Sequence, residues 1–133
     1  MTHTTQLARY FETECPLNKD GVAELLQSFR LKKYPRNTLL LREGGHDSQL
    51  RFINRGTVRE YYQSDKRDIN INFYTKPHFL TDFSSFIQQI PTHRNQETLT
   101  TIEVLELSRE RFSRLLEKYS CGKNFIDLTF QHL

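Results

Sequence analysis

Apolar positions recur along the chain with two periods, three to four residues at the ends and two in between. Leu7 and Phe11, four apart with Ala8 and Tyr10 beside them, predict a short amphipathic helix over about 4–14, which Pro16 ends. Val22, Leu25, Leu26 and Phe29 predict a second helix over about 19–28, with Asn18 placed to cap it. After Phe29 short apolar runs alternate with turn residues. Pro35-Arg36-Asn37, Glu43 to Asp47, Arg55-Gly56 and Ser64-Asp65-Lys66 read as turns, with Asn37 suited to a left-handed backbone. Between them Leu39-Leu40-Leu41, Leu50 to Asn54, Thr57 to Gln63 and Asp68 to Tyr74 read as strands. In the last, Ile69, Ile71 and Phe73 alternate with Asp68, Asn70 and Asn72, which predicts one dry face and one wet.

Beyond Pro77 the stretch Phe79 to Ile90 allows one or two helical turns, and Pro91 to Asn95 reads as loop. Glu97 to Leu107 reads as two strands, because the apolar phase slips between Ile102 and Leu105 and Thr100-Thr101 can host a turn. Ser108 caps a helix over about 109–119 carrying Phe112, Leu115, Leu116 and Tyr119. Gly122 is expected to interrupt it before a last amphipathic stretch over about 124–133, with Phe125, Ile126, Leu128, Phe130 and Leu133. Short strands at regular spacing between terminal helices predict a mainly β fold with flanking helices, an eight-stranded antiparallel jelly-roll barrel. Phe52, Ile69, Ile71, Phe73, Val104, Leu105 and Leu107 are the expected core.

Size and charge narrow this only a little. With 133 residues the chain holds one core, and a mean hydropathy of −0.68 leaves no apolar run of membrane-spanning length. Nineteen basic against sixteen acidic residues is too even and too scattered to indicate nucleic acid. Ten Phe and six Tyr, with no Trp, imply a core built from rings. Cys15 and Cys121 are two lone thiols, which fits a reducing compartment and a cytoplasmic protein, and is too few for a four-cysteine metal site.

Four groups of residues carry candidate chemistry. Jelly-roll barrels of the cupin type hold metals, but no two of His3, His46, His78, His93 and His132 lie within five positions, so they read as exposed loop residues. Ser84 and Ser85 lack a nucleophile elbow, and His78 after Pro77 is a weak general-base candidate. Between Phe79 and Arg94 lie Thr81, Asp82, Phe83, Ser84, Ser85, Thr92 and His93, a potential short helix with hydroxyls, a carboxylate and a cation. Such a set can hold an anion and sugar hydroxyls, or Asp82 can simply cap the helix, which is the commoner use. Finally, the stripe Phe125, Ile126, Phe130 and Leu133, widened by Leu128, must fold back on the barrel or pair with another chain.

The order of these elements resembles the cyclic-nucleotide-binding (cNMP-binding) domain of the catabolite-activator and fumarate–nitrate-regulator (Crp/Fnr) family, from about Lys19 to Tyr119. Leu39-Leu40-Leu41-Arg42-Glu43-Gly44 resembles its Leu-x-x-Glu-Gly turn. Leu50 to Arg59 resembles its apolar-Tyr/Phe-Ile-x-x-Gly-x-Val strand pair, and Glu103 to Arg109 its last strand entering a helix. The resemblance implies a single domain over 1–133, with N-terminal helices to 28, a barrel over 29–108, and C-terminal helices over 109–133 that begin the dimer helix. It also implies a small-molecule effector, a nucleotide-like one or a cyclic nucleotide among the candidates, with no catalysis and no resident cofactor.

In nucleotide-binding members a Phe-Gly-Glu-Leu cassette is followed by Arg and Ser or Thr, the Glu holding ribose and the Arg the cyclic phosphate. The matching residues here are Leu80-Thr81-Asp82-Phe83, with Thr92 at the Arg position and His93 after it. Arg94 comes two residues late, about 7 Å along if it lies on a strand. These departures predict weak or no binding of cAMP and cGMP.

The resemblance further implies a regulator whose helix-turn-helix portion is absent from this chain, either because the sensor was cut from a longer protein, the simpler reading, or because it is a stand-alone sensor. No specific DNA binding and a weak homodimer through Phe125, Ile126, Phe130 and Leu133 are expected. The alternatives are a cupin-type metalloenzyme and an interaction domain without ligand.

Overall fold

The computed structural model of the chain describes residues 3–14 and 19–130, with side chains up to 127. Two helices, α1 (Thr5–Thr13) and α2 (Val22–Ser28), precede the strands β1 (Arg30–Tyr34), β2 (Leu39–Leu41), β3 (Gln49–Arg55), β4 (Val58–Ser64), β5 (Arg67–Tyr74) and β6 (His78–Phe79). Helix α3 (Phe83–Gln88) comes next. Strands β7 (Asn95–Thr98) and β8 (Ile102–Ser108) then lead into α4 (Arg109–Lys118) and α5 (Ser120–Phe130).

The strands form two four-stranded sheets, ordered β1-β8-β3-β6 and β2-β7-β4-β5, with every pair antiparallel. This is the jelly roll expected of a chain whose strands are too short to bury a face alone.

The turns follow their residues. Asn37 takes a positive φ of 65°, and Asp65 and Lys66 take 51° and 65° between the paired residues Ser64 and Arg67, a two-residue hairpin. Gly56 (φ 103°) turns β3 into β4, where a Cβ would come within 2.6 Å of the Thr101 carbonyl. No side chain fits there.

Two apolar clusters hold the fold. One lies between the sheets, from Ile53, Val58, Leu80, Ile102 and Val104. The larger lies between the first sheet and the helices, joining Leu50, Phe52, Phe79, Leu105 and Leu107 to Leu7, Phe11, Leu25, Phe112 and Phe125. Strand β8 therefore buries both faces, Ile102 and Val104 on one and Leu105 and Leu107 on the other. That double burial explains the apolar phase slip, while the break between β7 and β8 falls at residues 99–101 as the turn residues indicate.

Three expectations are corrected. Ile71 and Phe73, read as core, are 47% and 52% exposed, and Ile69 is only half-buried. Strand β5 is the sheet edge, paired with β4 alone, and Ile71 is the extra residue of a bulge opposite Glu60 and Tyr61, so Ile69 shares a face with Tyr62 while Phe73 shares the opposite one with Arg59, and the three do not make one dry face. Gly122 lies inside α5, beneath Leu116, and the helical break falls at Tyr119 instead. Helix α2 begins after Gly21, whose φ is 85°, while Asn18, its expected cap, lies outside the described residues along with Cys15 and Pro16.

Candidate functional site

The segment from Thr81 to Arg94 folds as a short helix and a loop stitched to the barrel through its own polar groups. Asp82 caps α3, its Oδ1 accepting the Ser85 N–H at 3.4 Å. Its Oδ2 accepts the Thr92 hydroxyl at 2.7 Å. Thr92 in turn accepts the Arg94 N–H at 3.1 Å and exchanges backbone bonds with Gly44 and Gly45. The Thr81 hydroxyl accepts the Arg51 N–H at 2.8 Å and donates to the Gln49 carbonyl at 3.2 Å. Ser85 donates to the Ile90 carbonyl at 2.6 Å and accepts the Asp47 N–H at 2.9 Å.

Asp47 stands at the centre of this stitching. It is 2% exposed, and its Oδ2 accepts the Asp82 N–H at 2.8 Å. Its Oδ1 lies 3.6 Å from Arg51, whose Nε pairs with Glu106 at 2.7 Å. Burial, only partly offset by those bonds and by Arg51, pushes the Asp47 carboxyl up to about 6. At the other end of α3, Arg109 donates to the Phe86 and Ile87 carbonyls at 2.7 and 2.9 Å, tying the helix to the first turn of α4.

Arg94 precedes β7 instead of lying on a strand, and its guanidinium meets Glu60 at 3.3 Å. Glu60 is itself 2% exposed, with Gln96 donating at 2.8 Å and the Tyr74 hydroxyl at 3.4 Å. Gln96 also donates to the Leu80 carbonyl, which joins this cluster to the start of the cassette. Burial, reinforced by the Glu60 charge, pushes Tyr74 up to about 12. Arg59 lies over the Tyr61 ring, so β4 keeps its alternation and Tyr62 shares a face with Glu60. Tyr62 pairs with Ile69 and is 40% exposed, so this inward face opens to solvent as an apolar ledge past a buried carboxylate.

The structure thus gathers Thr81, Asp82, Ser85 and Thr92 into one network, which the Arg94 N–H joins, and places the Arg94 guanidinium in a neighbouring one. Phe83 is not part of either; it packs on Phe79 and Phe125. Ser84 and His93 have no hydrogen-bond partner among the described residues, and His93 is exposed. Asp47, Arg51, Glu60 and Gln96 were not singled out from the sequence. Asp47 reads there as a turn residue and Glu60 as one polar position of a strand, and only the fold shows that both are buried.

The other candidates separate. His78 packs between Tyr10 and Tyr74, with Nδ1 2.8 Å from the Phe79 carbonyl, and Ser85 is hydrogen-bonded to Asp47 and Ile90 instead. Among the described residues no three His, Cys, Asp or Glu side chains gather to hold a metal, and no helix is long and apolar enough to cross a membrane. Phe125, read as a dimer contact, is 1% exposed within its own chain's core, against the rings of Phe11, Phe79, Phe83 and Phe112. Ile126 is partly buried against the same cluster. The side chain of Phe130 and all of Leu133 lie outside the described residues.

Known proteins share this architecture. A putative cyclic nucleotide binding protein from Ruegeria pomeroyi superposes with a TM-score of 0.78 at 18% identity, over 99% of this chain and 60% of that one. The catabolite activator protein of Thermus thermophilus gives 0.72 at 17%, over 84% and 53%. The c-di-GMP responsive global regulator CLP of Xanthomonas campestris gives 0.62 at 23%, over 72% and 47%. The chain thus spans roughly half to three-fifths of these structures. No curated protein matches it in sequence. The model of the cyclic nucleotide-binding domain matches residues 31–119, two sheets, cassette and α4 included, and the chain belongs to that family.

Proposed function

We propose that this chain is the effector-sensing, non-catalytic domain of a Crp/Fnr-like bacterial transcription regulator, and that its effector is a small molecule other than cAMP or cGMP. The observation that carries the second part is the Thr92–Asp82 hydrogen bond. The family's cassette needs a guanidinium at that place, and here a hydroxyl neutralises nothing. A cyclic phosphate brought to α3 would face the Asp82 carboxylate, with Asp47 behind it and Arg94 already held by Glu60. Each charge-assisted hydrogen bond lost is worth roughly 1.5–3 kcal/mol, tenfold or more in affinity. The open ledge at Tyr62 and Ile69, beside the buried Glu60 and Gln96, supports a ligand that is partly apolar and offers hydrogen-bond donors.

The match to regulators from Thermus thermophilus and Xanthomonas campestris supports the regulatory role. The same reading includes a weak homodimer through the end of α5, carried by Phe130 and Leu133 because Phe125 is committed to the core. It includes no specific DNA contact by this chain, and a cytoplasmic place for the whole protein.

Titration calorimetry tests the ligand. No saturable heat is expected with cAMP or cGMP at micromolar concentrations. A micromolar cAMP constant abolished by Arg94→Ala would show that Arg94 leaves Glu60 to bind phosphate, and the reading would fail. One observation favours an interaction domain instead: the polar side chains of Thr81, Asp82, Ser85 and Thr92 are all satisfied internally. Mass spectrometry of small molecules released from freshly purified protein separates the two, since a sensor yields a stoichiometric compound and an interaction domain none. Stoichiometric iron, zinc or manganese in the same sample would instead support the cupin-type enzyme.

A further inference from the structure

We propose that a second site, the groove between the β1 edge and the start of α4, binds a small molecule carrying two or more phosphate groups. Strand β1 presents Arg30 and Lys32 opposite Glu106 and Val104 of β8. Alternation puts both cations on the face that carries Val104 and Glu106, where the inter-sheet cluster comes to its end at Val104. Helix α4 supplies Arg111 and Arg114 from the other side. The resulting concavity has two adjoining parts of about 360 and 690 Å³ that share Gln49, Ser108, Glu110 and Arg114. That is the size range of small-molecule sites.

The charge is unbalanced there. Glu106 also faces the groove, but Arg51 at 2.7 Å and the Tyr34 hydroxyl at 2.8 Å already match it. Only Glu110 then stands against Arg30, Lys32, Arg109, Arg111 and Arg114, since the Phe86 and Ile87 carbonyls that hold Arg109 do not cancel its charge. Arg111 donates to the Ser28 carbonyl at 3.2 Å, which fixes its direction without cancelling its charge. Among the described residues Arg30, Lys32 and Arg114 form no ion pair. Glu110 and Arg114 are four apart on one helix and do not pair either, although that spacing brings such side chains within reach.

Cations that converge on a hollow without partners repel one another until an anion enters. An excess of four charges is met by two phosphate groups of about two charges each, whereas carboxylates would need four. The guanidinium fork binds phosphate through two parallel hydrogen bonds, and the Ser108 and Ser113 hydroxyls in the wall add donors suited to the remaining oxygens. A concave hollow of this volume favours a small molecule over a flat acidic protein surface. The groove meets the cassette at Gln89, the C-cap of α3, and at Arg109, but its cations lie outside the Thr81–Thr92 network, so it does not depend on which effector the barrel takes.

Pyrophosphate is the probe, titrated into ¹⁵N-labelled protein at constant ionic strength so that screening does not change. Amide shifts are expected to cluster at Arg30, Lys32, Gln49, Ser108 and Arg114. The double change Arg30→Ala with Arg114→Ala should weaken binding at least tenfold, and Lys32→Gln alone at least threefold. Arg36→Ala with Arg67→Ala, two exposed arginines outside the groove, should leave it unchanged. Shifts scattered over all exposed cations, or equal weakening by the control pair, would overturn the site. Tighter binding of a glutamate-rich peptide or of duplex DNA than of pyrophosphate, mapped to the same amides, would overturn the small-molecule assignment.

Discussion

Asp47 shows how much a single side chain decides in this protein. It accepts the Asp82 N–H and lies beside Arg51, so it fixes the start of the cassette to the β2–β3 loop. Its folded value of about 6 lies above the ordinary 3.8. Between those pH values the folded chain holds more protons than the unfolded one, so stability falls as pH rises through this window. The contribution is fully relieved below about 4 and fully unfavourable above about 6, at roughly 1.4 kcal/mol per pH unit of separation, or of order 3 kcal/mol in all. Urea unfolding is therefore expected to show a higher midpoint at pH 5 than at pH 7. Asp47→Asn should flatten that difference while lowering stability overall, because its amide turns donors toward Arg51 and the Gln49 N–H. An unchanged pH slope in the variant would assign the effect to another group. Glu24 and Asp68 do not confuse the window, since hydrogen bonds (from Tyr119 and Gln63 foremost) hold them below the ordinary carboxylate range.

At the scale of elements, α5 and β5 exchange the roles that periodicity suggests. Helix α5 looks like a free amphipathic stripe, yet Phe125 fills the centre of a ring cluster between α1, α4 and the first sheet. Strand β5 looks like a half-buried strand, yet its apolar residues line an open edge. Truncating Phe125 to Ala should cost about 3–5 kcal/mol, since a buried ring leaves a cavity as well as losing its transfer energy. Phe73→Ser should change stability by no more than about 0.5 kcal/mol, and is expected to lower any tendency of the edge strand to aggregate. Thermal denaturation of the two variants side by side checks this. Similar losses at both positions would mean that β5 is covered.

For the whole molecule, the open question is association. With Phe125 turned inward, the dimer reading rests on the last residues of the chain, Phe130 and Leu133. A two-fold contact built from so few residues is short, so a weak dimer is expected in sedimentation equilibrium. Phe130→Glu with Leu133→Glu should shift it to monomer while leaving the melting temperature of the domain within a few degrees. A parent chain that stays monomeric at high concentration, or a double variant that melts, would place the helix end in the core and end the dimer reading.

The sequence by itself determined what local chemistry can specify. Turn residues with fixed backbone preferences placed the strands, as at Asn37, Gly56 and Asp65-Lys66, and three family motifs in order named the fold. Ser108 and Asp82 cap their helices as their side chains dictate. The tertiary structure alone decided which faces are covered. Alternation along β5 defines two sides, but only the neighbouring sheet says that neither is sealed, and the phase slip in β8 becomes legible once both its faces are seen to be buried. The same holds for the candidate site. The residues from Thr81 to Arg94 could be listed from motif spacing, but their partners, Asp47, Arg51 and Glu60, lie 30 to 35 positions away in sequence. Whether a carboxylate binds a ligand or ties down a loop depends on which groups the fold brings to it, because hydrogen bonds act over about 3 Å of space and take no account of distance along the chain.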